Sequence, residues 1–303
     1  MAAAGKSAGS VASRRRWALV LLLAPITLVL GCFFLIPLGI MMVYSVLEPG
    51  VYGGVEWVWY PYNYGRILGW PLNDYEQFDP VYLRILLNSL LLAVLTVIGT
   101  FVLCYPAAFW VARMPPGRKN LVLFLITLPF FANLLIRIYA WLLLLRPTGF
   151  INAVLQGAGL IDEPLDLMFS NTAVLIGMIY ILTPFMFLPL YASVEKLDPG
   201  LLRASQDLGA NAVQTFWRVI LPLTAPGIMA GALIVFIPAL GNFIVPSFLG
   251  GSKVQMTGTL IERSFLQSRD WPFGAALALL IMGFVVALVL IGLARGNRAG
   301  VRR

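Results

Sequence analysis

The chain has 303 residues, of which 60% are hydrophobic and 11% are charged, and its net charge is +8 at pH 7. A soluble domain carries roughly a quarter charged residues, so this composition predicts an integral membrane protein. The basic residues stand in short clusters beside apolar runs, where they orient membrane helices, and we expect no nucleic-acid partner. The chain contains no histidine, which excludes imidazole-based catalytic triads and histidine-ligated metal sites within it.

Six apolar runs are long enough to cross about 30 Å of hydrocarbon as helices. The predicted spans are Trp17–Tyr44, Ile85–Ala112, Leu121–Leu145, Ala173–Val194, Leu221–Leu249 and Phe273–Ala294. The first span follows three arginines, as a signal peptide does, but it stays apolar through Val43, which is too long for a signal core. We therefore predict an all-α integral membrane protein with six transmembrane helices in one domain, 17–294, flanked by basic tails at 1–16 and 295–303.

The distribution of lysine and arginine predicts the orientation, because cytoplasmic loops carry an excess of both. With the N-terminus inside, most of the 21 basic residues lie on the cytoplasmic side and most of the 13 acidic residues on the other. Both termini are then cytoplasmic, and the loop after the first span is external. Its aromatic residues form either a belt at the membrane interface or a docking surface for a soluble partner: Trp57, Trp59, Tyr60, Tyr62 and Tyr64. Its acidic residues either attract a cation or are incidental charges of a solvated loop: Glu48, Glu56, Asp74, Glu76 and Asp79.

The predicted spans contain no aspartate or glutamate. Proton- and cation-coupled transporters place carboxylates at membrane depth to bind the driving ion, so a secondary transporter is disfavoured. A membrane-embedded enzyme is disfavoured as well, because the spans hold no recognisable nucleophile, base or metal set. The chain also lacks a phosphate-binding G-x-x-x-x-G-K-[ST] loop. If ATP drives this protein, a different chain must bind the ATP.

Arg137 is the charged residue that falls inside a predicted span. It stands about 24 Å along Leu121–Leu145 at 1.5 Å per residue, which places it near the outer interface. An arginine at membrane depth is a candidate functional residue, yet a long side chain near the surface can also reach water. Two interpretations stay open, namely a structural residue and a direct contact to the transported substrate.

The fifth predicted span contains a pattern typical of an interrupted helix, since Pro238, Gly241, Asn242 and a second proline fall close together near mid-membrane. Proline removes a backbone donor, and glycine allows close backbone approach. A broken backbone at this depth persists only where protein or a water-filled cavity satisfies it. Asn242 therefore either lines a transport pathway or packs between helices. Asn133 and Tyr180 are candidates of the same kind.

The segment 195–220, between the fourth and fifth spans, has the pattern of two helices joined by a turn. Asp198 is a good N-cap, and Pro199 suits the first helical position. Gly209 can adopt the left-handed conformation that ends a helix, and Asn211 can cap the next helix. The short first helix is about ten residues, or roughly 15 Å, long. Its small residues and mixed charges fit a groove on a protein partner better than a lipid surface.

This segment resembles the cytoplasmic loop of the permease subunits of binding-protein-dependent ABC importers. The family pattern is Glu-Ala-Ala, three residues, Gly, nine residues and Ile-x-Leu-Pro, and its spacing is kept here by Arg203-Ala204-Ser205, Gly209 and Val219-x-Leu221-Pro222. The resemblance covers about residues 17–294. It is strongest to the spermidine/putrescine importer permeases, through the stretches 135–141, 183–186, 207–210, 236–243 and 269–272. It implies the type I ABC importer permease (MetI-like) fold, with a cytoplasmic coupling helix.

The resemblance also implies partners and roles. They are a second homologous permease, a homodimeric ABC ATPase that binds ATP and Mg, and a periplasmic polyamine-binding protein, at the inner membrane of a bacterium. This chain itself is expected to bind no cofactor. In that family the short helix sits in a cleft of the ATPase, and the implied coupling residues are Ala204, Ser205, Asp207, Leu208 and Gly209. The candidate residues of the translocation pathway are Asn242, Gly241, Pro238, Tyr180, Asn133 and Arg137.

The implied cargo is spermidine or putrescine, and the alternative is another small solute such as an opine, an amino-acid derivative or a metal chelate. A polyamine would meet aromatic faces, side-chain oxygens and backbone carbonyls in these spans. A cation–π contact contributes only about 0.5–2 kcal/mol. We therefore expect selectivity to lie mainly in the external binding protein and the pathway to bind its cargo weakly.

Overall fold

The computed structural model describes the backbone of residues 5–70 and 78–300, with side chains over 22–70 and 78–292. Asp74 and Glu76, in the loop that was predicted to be external, and the basic side chains of both tails lie outside the described residues. The helices are α1 (Gly5–Tyr44), α2 (Tyr62–Leu68), α3 (Val81–Ala112), α4 (Pro116–Phe131), α5 (Leu134–Leu145), α6 (Phe150–Gly157), α7 (Asn171–Glu195), α8 (Pro199–Asp207), α9 (Ala212–Thr215), α10 (Leu221–Leu240), α11 (Thr257–Leu266) and α12 (Trp271–Gly300). Two π-helical turns, at Phe216–Ile220 and Pro246–Gly250, lie before and after α10. The strands β1 (Leu47–Pro49) and β2 (Val55–Trp59) pair antiparallel.

Six helical segments among the described residues are long and apolar enough to cross a membrane. They are Leu22–Tyr44, Val81–Ala112, Leu134–Gly157, Asn171–Glu195, Ala212–Leu240 and Trp271–Gly292. The predicted number of spans is confirmed. The first, second, fourth and sixth follow the predicted spans closely, whereas the third and fifth differ in ways that affect the candidate site.

The predicted third span, a single helix over Leu121–Leu145, is wrong. The backbone leaves the helical conformation at Ala132 and Asn133, with ψ values of 145° and 133°. Pro129 lies within the last turn of α4, where it removes a backbone donor. The side chain of Asn133 then accepts a hydrogen bond from the Leu135 amide at 2.8 Å and caps α5. The region therefore forms two helices, and the spanning segment begins at Leu134.

The predicted fifth span is wrong at both ends, but the predicted interruption is present. Helical backbone begins at Ala212, nine residues earlier than expected, and α10 ends at Leu240. Gly241 leaves the helix, and Gly241–Phe243 are not helical. A π-helical turn follows after this gap. The proline and glycine pattern thus located the break correctly. The start of the helix at Ala212 depends on caps upstream of the apolar run.

The chain forms two compact units, and the first contains Met1–Ile67 and Ser264–Arg303. In it α1 packs against α12, and the β1–β2 hairpin packs beside them. Asp270 caps α12 by accepting a hydrogen bond from the Phe273 amide at 3.1 Å, and it pairs with Arg66 at 2.9 Å. Trp57 and Trp59 of the hairpin are largely exposed. Exposure is expected both for an aromatic belt at the membrane interface and for a surface that docks a soluble partner.

The second unit, Leu68–Arg263, holds the membrane core. Its centre is the mutual packing of α3, α7 and α10. Gly231 of α10 lets that helix approach α7, because a Cβ there would lie 2.8 Å from the Met186 sulfur. The buried hydroxyl groups of Tyr105 and Thr224 hydrogen-bond at 2.9 Å and join α3 to α10. Cys104 is a buried free thiol.

Candidate functional site

The predicted helix–turn–helix between α7 and α10 is confirmed. The carboxylate of Asp198 accepts a hydrogen bond from the Gly200 amide at 2.8 Å and caps α8. Gly209 ends that helix with a φ of +80°, a conformation that residues with a Cβ rarely adopt. Asn211 and Gln214 then form a reciprocal capping box at the start of α9, with hydrogen bonds of 2.8 and 3.1 Å. Local sequence rules therefore define the caps and the turn of this loop.

Four of the five candidate coupling residues are exposed on this loop: Ala204, Asp207, Leu208 and Gly209. Leu208 is 89% exposed. Three further apolar side chains of this segment are exposed but were not predicted from the sequence: Leu201, Val213 and Trp217. Their signal was the presence of large apolar residues in a loop between two predicted spans.

Ser205, the fifth candidate, is buried, which corrects the expectation that its side chain faces a partner. Its hydroxyl group donates to the Leu202 carbonyl at 2.8 Å and lies 3.0 Å from the Thr215 hydroxyl group. This second bond ties α8 to α9. Ser205 therefore holds the shape of the loop from inside.

The loop continues into the membrane without a break in helical backbone. α9 passes through the π-helical turn at Phe216–Ile220 into α10, and the Leu221 amide donates to the Phe216 carbonyl in the wider π pattern. Pro222 follows directly and has no amide hydrogen of its own. A displacement of the loop can thus reach the fifth span through one continuous segment, Ala212–Leu240.

A charged cluster lies just before the loop, at the end of α7. Glu195 accepts a hydrogen bond from the Lys119 ammonium group at 3.1 Å and from the Tyr191 hydroxyl group at 2.6 Å. Lys119 is in α4, so the cluster connects α4 to the helix that leads into the loop. The sequence gives no signal for this pairing, because the two charges are far apart along the chain.

The break after α10 is closed by protein groups, as expected for irregular backbone in a membrane. The Leu240 carbonyl accepts a hydrogen bond from the Thr257 hydroxyl group at 2.9 Å. Asn242 accepts one from the Val245 amide at 3.0 Å and caps the next turn. Gly258 packs against this backbone, since a Cβ there would lie 2.5 Å from the Asn242 carbonyl oxygen. Asn242 is partly exposed, and its amide oxygen has a structural role.

Arg137 lies between two ring contacts that fix its level against α7. Phe130, before the break in the third span, packs on Phe185 with ring centroids 5.4 Å apart. Trp141, one turn after Arg137, packs on Tyr180 with centroids 5.5 Å apart. Arg137 therefore lies opposite the segment of α7 between Tyr180 and Phe185. It is the fourth residue of the candidate span Leu134–Gly157, so the expected position about 24 Å along a single helix does not hold.

The candidate pathway residues thus form two groups. Asn133, which is exposed and caps α5, lies with Arg137 and Tyr180 along the contact of α5 with α7. Exposed Pro238 and Gly241 lie with Asn242 at the end of α10. Among the described residues, no hydrogen bond or ring contact joins Tyr180 to Asn242.

The fold and this loop define a membrane permease, and comparison with known proteins identifies its class. The family of binding-protein-dependent transport system inner membrane components matches residues 104–303, and the chain belongs to this family. The chain is 46% identical over 228 residues to the spermidine/putrescine transport system permease protein PotB of Escherichia coli, which covers 75% of this chain and 82% of that protein. It is 44% identical over 219 residues to PotB of Haemophilus influenzae, covering 72% and 76% of the two chains.

Among solved structures, a chain of a bacterial alginate ABC transporter in complex with an alginate pentasaccharide-bound periplasmic protein has the same fold. The TM-score is 0.74 at 18% identity, over 94% of this chain and 96% of that chain. The predicted fold class, a six-span permease of the type I ABC importer kind, is confirmed. The protein is a multi-pass component of the inner membrane.

Proposed function

We propose that this chain is a permease subunit of an ABC importer that moves polyamines of the spermidine and putrescine class across the inner membrane. The observation that carries the proposal is the identity of 46% over 228 residues with a spermidine/putrescine permease. Fold alone would not support a cargo, because related permeases share a scaffold while they transport different solutes.

ATP hydrolysis takes place in a separate, homodimeric ATPase that binds ATP and Mg. The other partners are a second homologous permease and a periplasmic polyamine-binding protein, and both termini of this chain lie in the cytoplasm. The exposed residues Ala204, Asp207, Leu208 and Gly209 contact the ATPase, and buried Ser205 supports them. Leu208 supports this role best, because its exposed apolar side chain gains free energy when a groove on a partner covers it.

The coupling follows from the continuity of the loop with α10. When ATP binding brings the two ATPases together, their clefts move α8. The bond between Ser205 and Thr215 transmits this motion to α9, and the helical backbone carries it to Leu240. Because the helix is broken at Gly241, the segment after the break can move separately from α10. In this way the end of α10 changes its exposure to the pathway.

Weak binding along the pathway is consistent with the groups available there. The spans of this chain provide aromatic faces and polar oxygens. Their described residues include one acidic side chain, that of Glu195 at the end of α7. A pathway of this kind releases a polycation readily, and the binding protein outside supplies selectivity. Tight binding of spermidine or putrescine by the permease pair alone would contradict this part of the proposal.

The test is uptake of radiolabelled putrescine and spermidine by proteoliposomes that contain the whole complex. The binding protein is supplied at the periplasmic face of the complex and ATP at the face that carries the ATPase. The expected result is uptake that needs ATP and that unlabelled polyamine suppresses by competition. If the binding protein stimulates ATP hydrolysis but neither polyamine is taken up, the assignment of polyamines as the cargo is wrong. Such a result would point to another small solute, such as an opine, an amino-acid derivative or a metal chelate.

A further inference from the structure

A narrow apolar groove runs along one side of α3, near the end of the second span. Its volume is about 310 Å³, and six side chains line it: Phe101, Val102, Tyr105, Pro106, Phe109 and Phe216. Five of them belong to α3, and Phe216 begins the π-helical turn that leads into α10. The hydroxyl group of Tyr105 is hydrogen-bonded to Thr224, so Tyr105 contributes its ring. The groove is therefore an apolar site built by two spans.

The groove lies on a side of α3 that the described part of the chain leaves uncovered. Val102, Leu103 and Trp110 are 60%, 59% and 66% exposed. At 1.5 Å per residue, the lining residues of α3 extend from about 6 Å to about 18 Å from Arg113, the residue that follows the span. One leaflet of the hydrocarbon core is about 15 Å deep. The groove thus extends from the membrane surface to about the middle of the bilayer.

Arg113 places a positive charge at the surface end of the groove. Its guanidinium carbon lies 3.9 Å from the centre of the Phe109 ring, and Phe109 lines the groove. Arg113 forms no ion pair within the described part of the chain, and the sequence contains no aspartate or glutamate from residue 81 to residue 161. A guanidinium group binds phosphate through two parallel hydrogen bonds. The end of the groove therefore offers a cation to a phosphate group.

Other occupants fit this groove less well than a lipid. One turn of an α-helix, about 10 Å wide and 5.4 Å long, is larger than the groove, so a helix would cover it rather than fill it. A positively charged solute would meet Arg113 and no carboxylate. An acyl chain is narrow and apolar, and a phospholipid headgroup lies at the membrane surface, where α3 ends. A zwitterionic lipid would bring a cation of its own beside Arg113, so an anionic lipid is favoured.

We propose that this groove binds an anionic phospholipid of the bilayer, with an acyl chain along Phe101–Phe109 and the phosphate group on Arg113. Basic pockets between transmembrane helices bind lipid headgroups in this way. The bound chain lies against Phe216, at the π-helical turn through which the loop joins α10.

The test is photolabelling of the complete wild-type importer in proteoliposomes, with phosphatidylglycerol that carries a diazirine in one acyl chain. Mass spectrometry identifies the labelled peptides, and we expect label between Phe101 and Phe109 and at Phe216. Unlabelled phosphatidylglycerol should compete for this label at least about fivefold better than phosphatidylcholine. Label on the exposed face of α1 reports bulk lipid, and both competitors should dilute it equally.

Two variants test the two ends of the groove. Arg113→Gln removes the charge, and Val102→Trp fills the groove from an exposed position; each should lower the label in the groove roughly fivefold. The matched controls are Arg84→Gln, at an exposed arginine near the other end of α3, and Leu103→Trp. Leu103 is as exposed as Val102 but does not line the groove. Both controls should keep the wild-type label.

Absence of label from the groove in the assembled importer would overturn the proposal, and would indicate that a partner protein covers this side of α3. Equal competition by the two lipids, or unchanged label in both Arg113→Gln and Val102→Trp, would overturn it as well. The competition arm uses wild-type protein, so it decides the question even if a substitution prevents assembly. Labelling needs neither ATP nor cargo, so the result is independent of polyamine transport.

Discussion

The hydroxyl oxygens of Ser205 and Thr215 lie 3.0 Å apart, and the hydrogen bond between them joins α8 to α9 across the turn at Gly209. Both side chains are buried. The short helix therefore keeps a fixed orientation relative to the segment that enters the membrane, which is what transmission of a motion from an ATPase requires.

Ser205→Ala tests this connection directly. The change leaves the Thr215 hydroxyl group without this partner and costs about 1 kcal/mol of local stability. The Ala210 amide donates to the Ser205 carbonyl at 3.1 Å and reports on the turn. Its hydrogen exchange should become roughly fivefold faster, the factor that corresponds to about 1 kcal/mol. Thr27→Val is the control, since that hydroxyl group bonds within α1. Equal effects of both changes on the Ala210 amide would contradict the role of Ser205.

Gly209→Ala tests the left-handed turn. A Cβ at a φ of +80° costs about 1–2 kcal/mol in free energy, although no atom lies within 4 Å of its position. Gly117→Ala is the matched control, because its Cβ also meets open space and alanine favours the helix there. We expect the thermal midpoint of the complex to fall for Gly209→Ala and to hold or rise for Gly117→Ala. Identical midpoints would show that the turn tolerates a Cβ.

Thr257→Val tests how the break after α10 is stabilised. The substitution preserves shape but removes the buried donor to the Leu240 carbonyl, and a stranded buried carbonyl costs about 1–3 kcal/mol. Thr127→Val is the comparison, because that hydroxyl group bonds to a carbonyl of its own helix. A clear loss of thermal stability is expected for Thr257→Val and little change for Thr127→Val. Comparable losses of thermal stability in the two variants would mean that the Thr257 hydrogen bond stabilises the protein no more than an ordinary bond within one helix.

The pairing of Lys119 with Glu195 should contribute little stability. Both side chains remain in part accessible, at 18% and 44%, and exposed ion pairs are typically worth less than about 1 kcal/mol. A double-mutant cycle with Lys119→Gln and Glu195→Gln should give a coupling energy below about 1 kcal/mol that decreases as salt increases. A coupling energy above about 2 kcal/mol that does not change with salt would contradict this expectation. It would show that the ion pair is shielded from solvent and stabilises the contact of α4 with α7.

The parts of this fold that were predicted from sequence are those governed by neighbouring residues. The caps and the turn of the loop were predicted correctly because each depends on a residue's own backbone and the next few amides. The residues concerned are Asp198, Pro199, Gly209 and Asn211. The break near Gly241 was readable for the same reason, because proline and glycine act locally. Hydrophobic length was enough to count the spans.

The parts that were missed depend on partners distant in sequence. Ser205 is buried because Thr215 meets it after the turn. The level of Arg137 follows from the contacts of Phe130 and Trp141 with α7. Tertiary packing decided both of these features, and no periodicity in the sequence encodes it. The break at Asn133 was missed for a different reason, because Pro129 and the Asn133 cap act locally but lie inside an apolar run whose composition also suits an unbroken helix.

We propose that the loop around Gly209 couples ATP hydrolysis to polyamine import. The most direct measurement compares ATP hydrolysis and putrescine uptake in the same proteoliposomes for the wild type and Gly209→Pro. Proline fixes φ near −65° and removes the amide that donates to the Gln206 carbonyl at 2.8 Å. We expect an assembled complex that still hydrolyses ATP but takes up putrescine at less than about a tenth of the wild-type rate per ATP, because each 1.4 kcal/mol lost in coupling is a tenfold change. Unchanged uptake per ATP in the variant would contradict it.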